Sequence, residues 1–254
     1  MSSMQERPDE APRAGIVERA RRNPRVVASV ALSAAWFTLP ALFSIGLFAY
    51  LGPVSDWLRS HGNAGLAVAA LGFALTAGLG LMPTYAQAVL MGWVFGTAAG
   101  LGVSVAGYVG GAVLGWGVCR AVARDEVRAL IDAEPRWRVV RSALVDASRA
   151  RTVALVALLR FPPTSPFAFT NMLLAATGVR FAPMIVGSLL GMLPRTAVAA
   201  WFGAQGAATG AQDLKDLMQK QGLPAVIVGI VLIVVVLAVM QHVGKRALRA
   251  AGLS

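Results

Sequence analysis

No Asp, Glu, Lys or Arg occurs between Arg59 and Arg120. That stretch is roughly 60 residues, about 90 Å of helix at about 1.5 Å per residue, whereas one membrane span needs about 20 residues. Across all 254 residues, 57% are hydrophobic and only 14% are charged, against about 25% charged in soluble domains. The mean hydropathy is +0.66. A chain of this kind is expected to be an all-α polytopic membrane protein.

The formal net charge of +11 would by itself suit nucleic acid. Its basic residues, however, gather in the N-terminal arm, the 120–151 segment and the C-terminal tail, each flanking an apolar span. That is the positive-inside bias of membrane proteins, so no nucleic-acid partner is expected. Cys119 is the single cysteine, which leaves no intrachain disulfide and no cysteine-based metal cluster. Residues 26–50 exceed a secretory h-region and lack a small-x-small cleavage site, and they read as an uncleaved first span.

The chain divides into four parts. Residues 1–25, with Pro8, Pro12 and Pro24, form a loose cytoplasmic arm. Residues 26–63 hold the first transmembrane helix, kinked at Pro40, and an outer loop in which Trp57 suits the interface. Residues 64–205 are the membrane core. Residues 206–254 carry an outer loop, where Asp213, Lys215, Asp216 and Lys220 balance, then a last span near 223–243 and a basic tail. Within the core, Gly96, Gly100, Ser104, Gly107, Gly111 and Gly115 recur at spacings of three and four. They give one helix a face of small residues for close packing. Arg120, Arg124 and Arg128 form a basic stripe, and Trp137, Val140 and Leu144 an apolar face. These suit either an amphipathic segment on the anionic cytoplasmic leaflet or a solvated charged loop.

Two segments break the helical pattern at membrane depth. In Leu159–Pro166 an arginine, Arg160, interrupts an apolar run and is followed by Pro162, Pro163 and Pro166. A lone arginine at the bilayer centre costs roughly 2.5–3.5 kcal/mol on insertion scales and marks function by default. Proline removes backbone donors, and broken backbone is tolerated there only when buried in protein or lining a watery cavity. The other segment has Gly78, Gly80 and Pro83 before Thr84-Tyr85-Ala86-Gln87. With arginine-rich pieces inside, the expected architecture is about four transmembrane helices (26–50, 96–119, 181–203, 223–243). Two re-entrant helical hairpins of inverted topology and a cytoplasmic amphipathic segment complete it. Inverted repeats place substrate near the midplane. The sequence echo between halves is only Pro83-Thr84 with Pro163-Thr164.

Gly92-Trp93-Val94-Phe95-Gly96, the glycine-rich helix after it, Leu159-Arg160-Phe161-Pro162-Pro163, Asn171 and Gly178-Val179-Arg180-Phe181 occur in order. Over roughly 64–205 the chain thereby resembles the VTT-domain family, also called SNARE-associated Golgi proteins and related to DedA membrane proteins. The resemblance implies two facing re-entrant loops and a part in lipid translocation, lipid scrambling or membrane homeostasis. It carries the family's loop arginine to Arg160, its loop prolines to Pro162 and Pro163, its polar loop residue to Asn171 and its first-loop proline to Pro83. One departure matters: DedA-type members place an acidic residue in the first loop, whereas no carboxylate lies between Asp56 and Asp125 here. Passive scrambling, or coupling elsewhere, is favoured over proton-driven transport.

The guanidinium of Arg160 offers a planar fork of donors suited to phosphate; otherwise it holds the hairpin by bonding loop carbonyls. Arg195, beside Pro194, is a second candidate phosphate contact. Asn171 bonds loop backbone or a substrate oxygen, Tyr85 and Gln87 are polar tips opposite, and Arg180 snorkels to the interface. No enzyme is expected: Ser104 has no nearby base, since the only histidines are His61 and His242. No metal site and no cofactor are expected. The reading is movement of phospholipid or polyprenyl-phosphate head groups between leaflets, with membrane lipids as partners. The alternative is a non-transporting membrane scaffold. Self-association into a homo-oligomer is left open. The expected location is the inner (plasma) membrane, multi-pass, with both termini cytoplasmic.

Overall fold

The computed structural model describes residues 38, 40, 42–47, 49–123, 141, 143–162, 166–212 and 214–250. All of these except Thr38 belong to one compact unit, Pro40–Ser254. Much of the first expected span (26–50), and residues 124–140 of the expected 120–151 segment, lie outside the described residues.

Seven α-helices are delimited among the described residues, in order: α1 (Leu51–Ser60), α2 (Gly62–Gly78), α3 (Thr84–Val118), α4 (Arg149–Arg160), α5 (Phe167–Ala176), α6 (Phe181–Ala208) and α7 (Leu214–Ala250). A π-helical turn, Cys119–Ala123, continues α3. Among the described residues, three stretches are long and apolar enough to cross a membrane: Thr84–Ala121, Phe181–Ala208 and Ile227–Ala247. Residues 214–220, read as part of a loop, are helical instead: α7 begins at Leu214 and is broken at Gly222 (φ 76°, ψ 152°), which separates this first piece from the last apolar span. Lys220 sits four residues after Asp216 with a 2.8 Å ion pair, a spacing that faces one helix side. The Lys220 hydrogen bond, then the Gln212 backbone N–H, hold Asp216 below the usual carboxylate range. That contribution is therefore present above the ordinary carboxylate pKa and fades as pH falls through the lowered value.

Proline and glycine set the boundaries. Pro83 and Pro166 precede the first residues of α3 and α5 in extended conformation, where a missing N–H costs nothing. The Ser148 side chain accepts from the Arg151 N–H and caps α4. Inside α3, Gly96 has φ 77° and ψ 176°, a left-handed conformation that side-chain-bearing residues avoid. The chain doubles back there. A Cβ built on Gly100 would fall 2.5 Å from the Met91 carbonyl oxygen, although nine residues of straight helix would separate the two by about 13 Å. Residues 84–95 and 97–118 are thus antiparallel neighbours.

Arg59 fixes this reversal from α1. Its Nε donates to the Val94 carbonyl (2.9 Å) and its Nη2 to the Trp93 carbonyl (2.8 Å). These are the last carbonyls of the first arm, which lack intrahelical partners, and a cation there also suits the helix dipole. Arg59→Ala is expected to cost about 1–3 kcal/mol, read as a lower unfolding midpoint in detergent; an unchanged midpoint would show that water replaces the clamp.

The contacts of the first half recur in the second. Phe73 of α2 packs on Gly107, and Ala157 of α4 packs on Gly191. Thr76 donates to Gln87 across the first turn (2.8 Å), and Arg160 donates to Asn171 across the second. Ser104 is matched by Ser188, and both are fully buried. Every one of these pairs is displaced by 84 residues (73 to 157, 76 to 160, 87 to 171, 104 to 188, 107 to 191). The Pro-Thr echo has a different offset, and Pro163-Thr164 lies outside the described residues, so it does not give this register. Each half is a helical hairpin followed by a longer helix: α2 with 84–95 then 97–118, and α4 with α5 then α6. The halves join where α5 lies on α3 (Phe167 on Gly111, Asn171 on Gly115) and where 84–95 lies on α6 (Gly92 on Ala200, Gly203 on Val89).

Candidate functional site

Arg160 ends α4 and is 3% exposed. Gly191 lets α6 approach it, since a Cβ there would fall 2.9 Å from the Arg160 Cβ. Its Nε donates to Ser188 Oγ (3.2 Å), its Nη1 to the Phe167 carbonyl (3.3 Å) and its Nη2 to Asn171 Oδ1. The guanidinium also lies over the Phe167 ring, 4.9 Å from its centroid. Asn171, fully buried, passes the link on by donating Nδ2 to the Gly111 carbonyl at 3.4 Å. Arg160 thus ties α4, α5 and α6 together, and through Asn171 it reaches α3. One backbone carbonyl, that of Phe167 in the first turn of α5, is among its partners.

Arg195 is differently placed. It follows Pro194, which has no N–H to bond the Leu190 carbonyl, in the middle of α6. It is 8% exposed, and its one hydrogen bond among the described residues is long, Nη2 to Thr84 Oγ1 at 3.5 Å. Arginine carries five donors, so most of this group's capacity is unused. The Tyr108 hydroxyl, which donates to the Leu189 carbonyl (3.1 Å), interacts electrostatically with Arg195.

Both guanidinium groups are buried. Neither has a carboxylate partner among the described residues, and none is at hand in sequence: no Asp or Glu lies between Asp56 and Asp125 or between Asp146 and Asp213. Two like charges buried together without a counter-charge are costly in a low-dielectric surround. The arrangement is suited to an anion.

The other sequence candidates separate. Gln87 is 4% exposed and accepts from Thr76 Oγ1 while its Nε2 donates to the Met82 carbonyl at 3.4 Å. It braces the first turn as Asn171 braces the second. Tyr85 is 49% exposed. It lies two residues, about 200°, around the helix from Gln87, so the two do not share a face. Pro83 is the N-cap of α3 and shapes the turn; Pro162 is buried at the end of α4, and Pro163 lies outside the described residues. Arg180 is exposed and donates Nη2 to the Ala147 carbonyl (2.8 Å). Sequence reasoning missed Ser188, Thr84, Phe167 and Tyr108. A lone serine beside Gly187 in an apolar span was the available signal for the first.

No curated protein and no solved structure matches the chain. Residues 82–205 match the family model described as the VTT domain. That interval takes in both polar turns, Arg160 and Arg195. Over residues 82–205 the chain carries a VTT domain, the domain of the DedA/SNARE-associated Golgi family of membrane proteins.

Proposed function

We propose that the protein passes phosphate-bearing lipid head groups, of phospholipid or polyprenyl phosphate, between the leaflets of the plasma membrane. The hairpins α2/84–95 and α4/α5 then enter the bilayer from opposite faces as re-entrant loops of inverted topology. Their turns meet near the midplane beside Arg160 and Arg195. The observation carrying this reading is the pair of buried guanidinium groups without a carboxylate partner, one of them using a single long hydrogen bond. A phosphate would supply the missing charge, bonded in the fork geometry that arginine offers. Arg160 is braced by three side-chain and backbone partners and holds the site in shape; Arg195 has donors to spare and takes the larger share of the ligand.

Purified protein in liposomes should move fluorescent phospholipid between leaflets in proportion to its amount. No movement across several lipid classes would return the chain to the scaffold reading. The passage should also be indifferent to a proton gradient. Helices α2 to α6 contain no Asp, Glu or His, the side chains whose ordinary pKa values lie below 7. Transfer rates are expected to agree within about twofold with and without an imposed gradient between pH 6 and 8. A gradient-dependent rate would contradict passive passage.

A further inference from the structure

The 84–95 arm of α3 carries a cation at each end. At its C-terminal end Arg59 donates to the Trp93 and Val94 carbonyls, where the negative end of the helix dipole suits a positive charge. At its N-terminal end Arg195 Nη2 lies 3.5 Å from Thr84 Oγ1. There the dipole is positive, so a buried cation is held against the wrong end of a helix. The N–H groups of Thr84, Tyr85 and Ala86 are the first three of the arm and have no intrahelical acceptor. The Gln87 N–H is the first to bond, to the Pro83 carbonyl (3.3 Å). No side chain caps the others, because the N-cap residue is Pro83. The second turn differs. α5 also starts behind a proline with no side-chain cap, but there Arg160 spends its donors on Ser188, the Phe167 carbonyl and Asn171. The first turn keeps a guanidinium with donors to spare. Thr84 lies about 15 Å along the arm from the carbonyls that Arg59 holds, half of a hydrocarbon core of about 30 Å. Tyr85 beside it is 49% exposed, so this end of the arm reaches the protein surface.

We infer that the N-terminus of the 84–95 arm is an oxyanion seat, where the Thr84, Tyr85 and Ala86 N–H groups, the Thr84 hydroxyl and Arg195 together hold the phosphate of a lipid head group. The inference rests on the head-group reading and adds to it where the phosphate sits and which donors hold it. Helix N-termini bind phosphate through their free N–H groups and their dipole. A phosphate here accepts from the helix end on one side and from the guanidinium on the other, and the misplaced cation becomes half of a clamp. Thr84 is then a ligand contact as well as a partner of Arg195. Tyr85 stands at the surface edge of the seat, where acyl chains leave it for the surrounding lipid.

Full-length protein in neutral detergent would be titrated calorimetrically with dihexanoyl-phosphatidylglycerol and with inorganic phosphate. Transfer of long-chain phosphatidylglycerol would be followed in liposomes. In Thr84→Pro the proline takes the first helical position after an extended residue, which suits it. The fold should be kept while one N–H and the hydroxyl are lost, and phosphatidylglycerol binding should weaken roughly 10- to 100-fold. Thr84→Val loses the hydroxyl alone and should weaken binding by roughly 3- to 10-fold; Thr84→Ser, which restores the hydroxyl, should recover most of that loss. If the proline variant does not fold, the valine and serine variants decide alone. Wild-type affinity in the folded proline and valine variants would overturn the seat, and so would wild type that binds neither probe. Inorganic phosphate binding as tightly as phosphatidylglycerol would overturn a lipid as the occupant. Wild type that binds phosphatidylglycerol through Thr84 yet moves no lipid would sink the transfer reading while leaving the seat standing.

Discussion

Arg195→Ala is expected to slow head-group transfer in liposomes by roughly 10- to 100-fold, the equivalent of about 1.5–3 kcal/mol for a hydrogen bond to a charged group. Its cost to the fold should be small, under about 1 kcal/mol, because it gives up one marginal 3.5 Å contact. Arg160→Ala should slow transfer comparably but also destabilise the protein by about 1–3 kcal/mol. Ser188, Asn171 and the Phe167 carbonyl each lose their donor. Arg160→Lys keeps the charge without the fork and should recover part of the rate. Comparing transfer rate with unfolding midpoint across these variants separates ligand contact from bracing. If Arg195→Ala transfers lipid at the wild-type rate while folded, Arg195 does not touch the head group.

The largest effect on folding is expected at the glycines where the two halves meet. A Cβ on Gly203 would fall 1.9 Å from the Val89 carbonyl oxygen, and one on Gly92 would fall 1.9 Å from that of Ala200. Backbone cannot yield as a side-chain tip can, and overpacking of this kind costs upward of 1–3 kcal/mol. Gly203→Val should therefore destabilise by at least about 3 kcal/mol, seen as loss of monodisperse protein in detergent or a steep fall in its unfolding midpoint. Gly102 is the control: it lies on α3 with nothing within 4 Å of an added Cβ. Gly102→Ala should be neutral or stabilising by about 0.5–1 kcal/mol. If Gly203→Val and Gly102→Ala behaved alike, the close seating of 84–95 on α6 would be wrong.

The broken segments were legible because their cost is written in the sequence. Arg160 in an apolar run, Pro83 after Gly80 and Arg195 after Pro194 stand out against neighbours that lipid would accept. The helical class and the apolar spans followed from composition and length. The reversal at Gly96 was not legible, since glycines at spacings of three and four read as one straight packing face. Arg59 was invisible for a related reason. It sits at the edge of the charge-free stretch, where cations are ordinary, and its carbonyl partners are 34 and 35 residues away. The internal register was hidden by chemistry that changes between halves. Thr76 and Gln87 stand where Arg160 and Asn171 recur, and beyond Ser104/Ser188 and Gly107/Gly191 the identities are scattered Ala and Leu pairs that any apolar helix would supply. Tyr85 was grouped with Gln87 by nearness in sequence, and helix phase then sends them to different faces.

That register also shows how the site became cationic on one side. Gly111 of the first half corresponds to Arg195 of the second, and Thr76 to Arg160. Both buried charges therefore come from the second half, while the first contributes neutral donors and acceptors, Thr84 among them. A phosphate bound between them would meet cations on one side and hydroxyls on the other.

The most direct measurement is inter-leaflet transfer by wild-type protein reconstituted in liposomes, comparing a fluorescent phosphatidylglycerol with a fluorescent diacylglycerol analogue that lacks phosphate, each corrected for its protein-free rate. Added protein is expected to accelerate the phosphate-bearing lipid and leave the phosphate-free one unchanged. Acceleration of neither lipid, or of both equally, would contradict it.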